Sequence, residues 1–162
     1  MRYGIFIFIV CSVFSCVKPT EYSDTPTLEF VGFSKLTMNQ GAFEEDSVIM
    51  TLFFTDGDGD FGTEAKKSES NIFVKDLRTN QTLRQYKAPF VPLEGAGNGI
   101  SGKISIRLFS TCCIFPQVSG IPPCERPKQY PVNDLSMEVY IKDRSGKQSN
   151  TIVTPPLKLN CN

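Results

Sequence analysis

Short apolar runs recur along the chain and are separated by polar segments rich in glycine and proline. These runs cover residues 28–33, 47–55, 71–77, 83–86, 104–109, 135–142, and 151–154 with 157–159. Most alternate between apolar and polar positions, which places one set of side chains on each face of a strand. No twelve-residue window has a helical stripe, since the most helix-tolerant stretch, 63–69, is short and polar. About seven antiparallel strands in a single all-β sandwich are predicted for residues 27–162.

The N-terminal segment has a different pattern. Arg2 precedes an apolar run over residues 5–14, which as a helix at about 1.5 Å per residue would span roughly 15 Å, half of a bilayer core. This length predicts a secretory signal peptide over residues 1–15 rather than a transmembrane helix. The following residues, 16–26, are polar and contain two prolines, and they are predicted to form an extended tether.

The sequence Val13-Phe14-Ser15-Cys16 resembles the lipobox of bacterial lipoproteins. The resemblance implies that Cys16 is acylated, and acyl chains would anchor the mature chain to a membrane. Val17 stands where inner-membrane lipoproteins carry aspartate, so the resemblance implies the outer membrane, facing the periplasm or the cell surface. The alternative is an ordinary signal peptide cut nearby, with Cys16 free or in a disulfide.

Composition excludes several function classes. The 162 residues include 17 basic and 17 acidic side chains and no histidine or tryptophan. Without histidine, Ser-His-Asp and Cys-His catalysis and histidine zinc sites are excluded. A balanced charge also argues against nucleic acid as a partner. The sequence therefore predicts a single non-catalytic domain.

Four cysteines remain once Cys11 is assigned to the signal peptide and Cys16 to the anchor: Cys112, Cys113, Cys124 and Cys161. In an exported protein four cysteines favour two disulfides. Adjacent cysteines on a strand point to opposite faces, so each should find its own partner. We expect Cys113 to pair with Cys124 and Cys112 with Cys161. A four-cysteine zinc site is the alternative, but the chain has no Cys-x-x-Cys pair.

A cluster of acidic residues carries the candidate chemistry. Asp56, Asp58 and Asp60 alternate with glycines directly after an apolar strand. Glycine allows the chain to curl so that the carboxylates converge, and a hard divalent cation, calcium above all, favours such convergence. The loop differs from an EF-hand because Phe61 and Lys67 occupy positions that need glycine and glutamate.

Further ligands are expected from a second loop. In an immunoglobulin-like order, the loop after the second strand and the loop before the last strand lie at the same end of the sandwich. Asp143 or Asn150 from the hairpin 143–150 could then complete the site, as could Glu45 or Asp46 if the strand order differs. The alternative is that these aspartates form Asx-turns and bind no ion.

The acylated cysteine, the Phe-Thr-Asp-Gly-Asp-Gly-Asp-Phe-Gly segment, the cysteine loop, the hairpin 142–150 and the terminal cysteine together resemble small lipoproteins of Bacteroidota. The hairpin is also similar to the closing turn of bacterial immunoglobulin-like and cadherin-like modules. The resemblance implies architecture and location, with binding or scaffolding of a protein or glycan partner at the cell envelope as the expected role. The first alternative is a carbohydrate-binding module using Tyr86, Tyr130 and Tyr140, and the second is an enzyme using paired carboxylates.

A long connection over residues 87–99 is rich in glycine and proline. Phe90, Val91 and Leu93 are expected to fold back over a sheet edge. Because long loops in compact domains often carry function, this connection and the loop 114–123 are the predicted partner surfaces.

Overall fold

The computed structural model describes residues 21–92 and 99–162. The predicted signal peptide, Cys16, the first part of the tether and Leu93 lie outside these ranges. Among the described residues there is no helix with the length and apolar character needed to cross a bilayer.

The described residues form ten strands in three sheets. The sheet orders are β1-β3-β6 (sheet A), β2-β10-β7 (sheet B) and β5-β4-β8-β9 (sheet C). All strand pairs are antiparallel except β2 with β10, which is parallel. The all-β prediction is therefore confirmed. The strands, with one 3-10 turn at Gln117–Ser119, are β1 Thr27–Phe33, β2 Thr37–Asn39, β3 Ser47–Asp56, β4 Ile72–Asp76, β5 Gln81–Tyr86, β6 Ile100–Phe109, β7 Val132–Leu135, β8 Met137–Ile141, β9 Ile152–Val153 and β10 Leu157–Asn160.

The hydrophobic core is built by the alternating inward side chains of the central strands. Every second residue of β3 is buried, from Val48 to Asp56, and β4 and β8 alternate in the same way. The apolar side chains among them belong, with those of β6 and β10, to a single hydrophobic cluster. A period of two is what a strand needs to bury one face, so the apolar pattern and the burial agree.

The ten strands exceed the predicted seven because two runs each divide between sheets and because β2 lies outside every predicted run. The run 135–142 breaks at Ser136, so that β7 joins sheet B while β8 joins sheet C. The final run breaks between β9 and β10 in the same way. At the first break, the carbonyl of Ser136 accepts the amide of Leu77, and the Thr154 hydroxyl accepts the amide of Met137.

The structure pairs Cys112 with Cys124 and Cys113 with Cys161, with Cα–Cα distances of 4.5 and 5.9 Å. The expectation that the adjacent cysteines take separate partners is confirmed, but the predicted partners are wrong. The alternation of β6 buries even-numbered positions up to Ser110, then shifts so that Cys113 is buried and Cys112 is not. Cys113 therefore meets Cys161, which is also fully buried.

Candidate metal centre

The acidic loop begins at the last core-facing position of β3. Asp56 continues the buried series of that strand and its side chain is fully buried. The chain then turns sharply, with Gly59 at a φ of 69°, a conformation that costs glycine little. The turn brings the backbone amide of Phe61 back to Asp56 Oδ2 at 2.9 Å. The loop therefore curls around the Asp56 carboxylate, as the glycine spacing predicted.

Four carboxylates converge at this end of the domain. One oxygen from each of Asp56, Asp58, Asp60 and Asp143 lies within 4.8 Å of the others. Asp143 arrives from the turn between β8 and β9, and the antiparallel pairing of β4 with β8 holds that turn at the same end of sheet C as the start of β4. The predicted meeting of the two loops is confirmed for Asp143.

Three oxygens of this cluster have no hydrogen-bond donor. Asp56 Oδ1, Asp60 Oδ1 and Asp143 Oδ2 are buried without a partner. The other oxygen of Asp143 is well satisfied, since Oδ1 accepts the Ser145 hydroxyl and the Lys147 amide, both at 2.8 Å. An unpartnered buried acceptor costs about 1–3 kcal/mol, and more when it is charged. Among the described residues, no cation or donor therefore compensates these three oxygens.

The electrostatics of the cluster indicate the same deficit. Burial, together with the charges of Asp58 and Asp60, raises the pKa of Asp56 to about 7. Burial and the charges of Asp143 and Asp58 also raise the pKa of Asp60. Asp58 behaves oppositely, because its hydrogen bond with the Lys147 ammonium lowers its pKa. Ionising Asp56 and Asp60 beside the charge of Asp58 is therefore unfavourable without a further positive charge.

Among the residues that the structure describes, Lys147 and Arg144 are the cations beside the cluster, and only Lys147 contacts one of its carboxylates. Lys147 Nζ lies 2.5 Å from Asp58 Oδ2. The Arg144 guanidinium instead donates to the carbonyls of Phe61 and Val91 at 3.1 and 3.0 Å, and it lies over the Phe90 ring at 4.6 Å. Arg144 therefore connects the acidic loop with the segment around Val91, and it donates no hydrogen bond to the unpartnered carboxylate oxygens.

The remaining predicted ligands are not brought to this cluster. The Asn150 side chain bonds the backbone of Leu28, accepting from its amide at 2.8 Å and donating to its carbonyl at 2.9 Å. Glu45 accepts the amide of Phe43, and Asp46 pairs with Lys35 and accepts the amide of Asn39. Asn150 thus fixes β1 rather than joining the four carboxylates.

Besides Arg144, sequence reasoning missed two other described groups that touch the acidic loop. One is Lys147, whose position in the same hairpin as Asp143 was the available signal. The other is the end of the tether, where the Ser23 carbonyl accepts the Gly57 amide at 2.8 Å and the Asp24 carbonyl accepts Lys147 Nζ at 3.1 Å. A Cβ on Gly57 would lie 2.4 Å from the Tyr22 carbonyl oxygen. Glycine is therefore required there for the close approach of the tether.

The three tyrosines considered for glycan contact are engaged within the chain. The Tyr86 hydroxyl donates to the Arg107 carbonyl at 2.7 Å, and Tyr130 packs on Phe115 at 5.7 Å between ring centroids. Tyr140 stacks on Phe73 at 4.9 Å with an interplanar angle of 14°. This separation matches the spacing of neighbouring strands, so the two rings stand side by side on the sheet.

The chain matches no family model, no curated protein and no solved structure. The fold and the site define an all-β domain, stabilised by two disulfides, whose acidic cluster could bind a metal ion.

Proposed function

We propose that this protein is a non-catalytic, lipid-anchored binding or scaffolding module of the outer membrane, with a structural calcium site at one end of an immunoglobulin-like sandwich. The observation that carries the calcium proposal is the set of three buried carboxylate oxygens without donors, Asp56 Oδ1, Asp60 Oδ1 and Asp143 Oδ2. A cation held between them would supply the missing partner for all three at once.

The donor set and its spacing favour calcium. All four candidate ligands are carboxylates, and hard cations prefer oxygen. Calcium–oxygen distances of about 2.3–2.6 Å place opposite ligands about 4.6–5.2 Å apart, and the four oxygens lie within 4.8 Å of one another. Backbone carbonyls and water would complete the coordination, as is usual for calcium sites in loops.

The sheet orders support the immunoglobulin-like assignment. Sheets A and C have the orders β1-β3-β6 and β5-β4-β8-β9, and their inward side chains share one hydrophobic cluster. An immunoglobulin-like sandwich places its first, second and fifth strands in one sheet and its third, sixth and seventh in the other. Once the short strands β2, β7 and β10 are set apart, sheet A holds the first, second and fifth remaining strands and sheet C holds the third, sixth and seventh. The fourth, β5, also lies in sheet C, whereas the constant-type order places it in the other sheet.

The tether supports a connection between the anchor and the calcium site. Ser23 and Asp24 bond the acidic loop and its hairpin. Ser23 follows Cys16 with only six residues between them, a distance of at most about 25 Å for an extended chain. An acylated Cys16 would therefore hold the acidic end as the membrane-proximal end of the domain.

Thermal unfolding tests the calcium site. Folded protein treated with a chelator is titrated with calcium, and magnesium serves as the parallel ion. We expect calcium to raise the melting temperature, by an amount equivalent to about 2.7 kcal/mol at a hundredfold excess over Kd. Unchanged melting at millimolar calcium, in protein whose circular dichroism is that of a folded sheet protein, would rule out the site.

The anchor is tested separately by metabolic labelling with an alkyne fatty acid. We expect the wild-type protein to carry the label and to fractionate with outer membranes, and Cys16→Ala to lose both properties. Cys11→Ala is the matched control, because it alters a cysteine within the predicted signal peptide and should remain labelled. Equal labelling of Cys16→Ala and wild type would contradict the proposed anchor.

A further inference from the structure

Strand β6 has an unpaired edge. It lies at the end of sheet A and pairs only with β3 among the described residues. The Ile49 carbonyl points away from β6, towards Ser34, so its partner Arg107 also directs its backbone away from β3. The hydrogen bond from the Tyr86 hydroxyl to the Arg107 carbonyl agrees with this orientation, because it reaches Arg107 from the side away from β3. By the same alternation, Ser101, Lys103 and Ser105 present their amides and carbonyls along the free edge.

An apolar groove of about 680 Å³ lies beside this edge. It is lined by buried side chains of the core, including Phe54, Phe61 and Ile106, and by Val91. This volume lies within the range of about 300–1,000 Å³ seen for ligand sites. A free edge beside an apolar groove offers backbone hydrogen bonds and side-chain pockets together, the two elements of recognition by strand addition.

We propose that β6 binds an extended acidic polypeptide segment by adding it as a further strand of sheet A. In such a strand the side chains alternate between two faces. Those beside Ile104 and Ile106 would enter the groove and should be apolar. Those beside Lys103, Ser105 and Arg107 would lie on the outer face of the sheet, where both cations are exposed. The preferred segment therefore alternates apolar and acidic residues.

The charges on this edge determine which occupant is favoured. No acidic residue is found among the described residues that line the groove, whereas Lys87, Lys103 and Arg107 do line it. Lys87 is occupied by the backbone carbonyls of Ala65 and Lys67, so Lys103 and Arg107 remain to meet a partner. A second copy of β6 would bring the same cations close together, and like charges opposite one another destabilise a pair. Self-association through this edge is therefore disfavoured.

The position of Tyr86 limits the usable length of the edge. Its hydroxyl occupies the Arg107 carbonyl, so the open stretch runs from Ser101 to Ser105 and to the amide of Arg107. A strand of about five to seven residues would cover it at about 3.4 Å per residue.

A peptide of about seven residues with alternating glutamate and valine is the probe, with blocked ends to suit the length of the edge. Its controls are a peptide of the same composition in two blocks and a peptide with lysine in place of glutamate. We expect only the alternating acidic peptide to bind, as measured by fluorescence polarisation. Hydrogen exchange should slow at the amides of Lys103 and Ser105 on binding. The amides of Ile104 and Ile106 pair with β3 and serve as internal references.

Two variants separate the backbone from the charge contribution. Ser105→Pro removes one free-edge amide without touching the ladder with β3, a position where proline is tolerated, and should weaken binding by at least about tenfold. Lys103→Glu combined with Arg107→Glu should reverse the preference towards the lysine peptide. Lys158→Glu, an exposed charge change in sheet B, is the matched control and should bind like wild type.

Equal binding of the block and alternating peptides would overturn the proposal. So would amides of Lys103 and Ser105 that exchange in the free protein as slowly as those of Ile104 and Ile106, since the chain itself would then cover this edge.

Discussion

The two ends of the domain are stabilised by different chemistry. β3 and β6 pair over ten residues, from Ser47 with Phe109 to Asp56 with Ile100, a length of about 30 Å. The chain beyond Phe109 carries Cys112 and Cys113, whose disulfides crosslink that end. The chain beyond Asp56 carries the acidic cluster.

The stability of the two ends depends differently on ions and on pH. A disulfide limits the unfolded chain whatever ions are present. Convergent ionised carboxylates repel one another and therefore destabilise the folded state. They stabilise it only when a cation or a proton neutralises them. The cysteine end should therefore be indifferent to calcium and pH, while the acidic end should respond to both.

The largest effect is expected from the longer disulfide. Cys113 and Cys161 are separated by 48 positions in the sequence, whereas Cys112 and Cys124 are separated by 12. Replacing Cys113 and Cys161 together by serine should lower the free energy of unfolding by about 4 kcal/mol, and replacing the other pair by about 3 kcal/mol. Urea denaturation in the presence of chelator measures both values. If the calcium-induced shift in melting temperature vanishes in the folded Cys112→Ser, Cys124→Ser variant, the two ends are not independent.

A single candidate ligand should account for much of the calcium response. Asp60→Asn retains the shape of the side chain but removes the charge of a carboxylate whose Oδ1 has no donor. We expect this variant to lose most of the calcium stabilisation, which amounts to about 2.7 kcal/mol at a hundredfold excess of ion over Kd. Asp134→Asn is the control, because Asp134 is exposed and pairs with Lys158, and its calcium response should equal that of wild type. Equal responses in both variants would remove Asp60 from the site.

The calcium-free protein should become less stable as the pH rises. Between the ordinary pKa of 3.8 and the folded-state pKa of about 7, folded Asp56 holds a proton that the unfolded chain has released. The free energy of unfolding therefore falls across this window. Calcium replaces the proton, so saturating calcium should flatten the decline. Melting temperatures from pH 4 to 7, with and without calcium, measure this, and a rise in stability with pH in chelator would contradict the proposed electrostatics.

The smallest expected effect concerns Lys147, which lies against Asp58 and is partly exposed. A cation bound by Asp58 has to compete with this ammonium. Lys147→Met should tighten calcium binding only slightly, by a few-fold at most, because exposed ion pairs contribute little. Isothermal titration calorimetry measures the change, with Lys158→Met as the control. Weaker binding in Lys147→Met would instead indicate that Lys147 supports the site.

Much of the fold could be read from the sequence because local alternation determines which face a strand buries. The bounds of β1 and β3 agree with the predicted runs to within one residue at each end. The short strand β2 was not predicted, since its parallel partner β10 lies at the other end of the chain. The start of β6 at Ile100 was also missed, because residues 100–103 include a glycine and two polar residues and are ordered by pairing with β3.

The candidate site was partly predictable for a similar reason. The glycine spacing and the strand order correctly indicated that Asp56, Asp58, Asp60 and Asp143 would meet. The role of Asn150 depends on its two hydrogen bonds with Leu28, residues 122 positions apart in the chain, which no local pattern reveals. The disulfide partners depend on a shift in alternation between Ser110 and Cys113, and extending the pattern of β6 without that shift gives the wrong pairing.

The most direct test of a calcium-dependent acidic end is the sign of the effect of Asp56→Asn. An asparagine can still accept the Phe61 amide through its side-chain oxygen, but it removes a buried charge. At a pH above the folded-state pKa of about 7, where Asp56 is ionised in chelator, we predict that Asp56→Asn melts at a higher temperature than wild type in chelator and at a lower temperature in saturating calcium. A change of the same sign in both conditions would contradict the account.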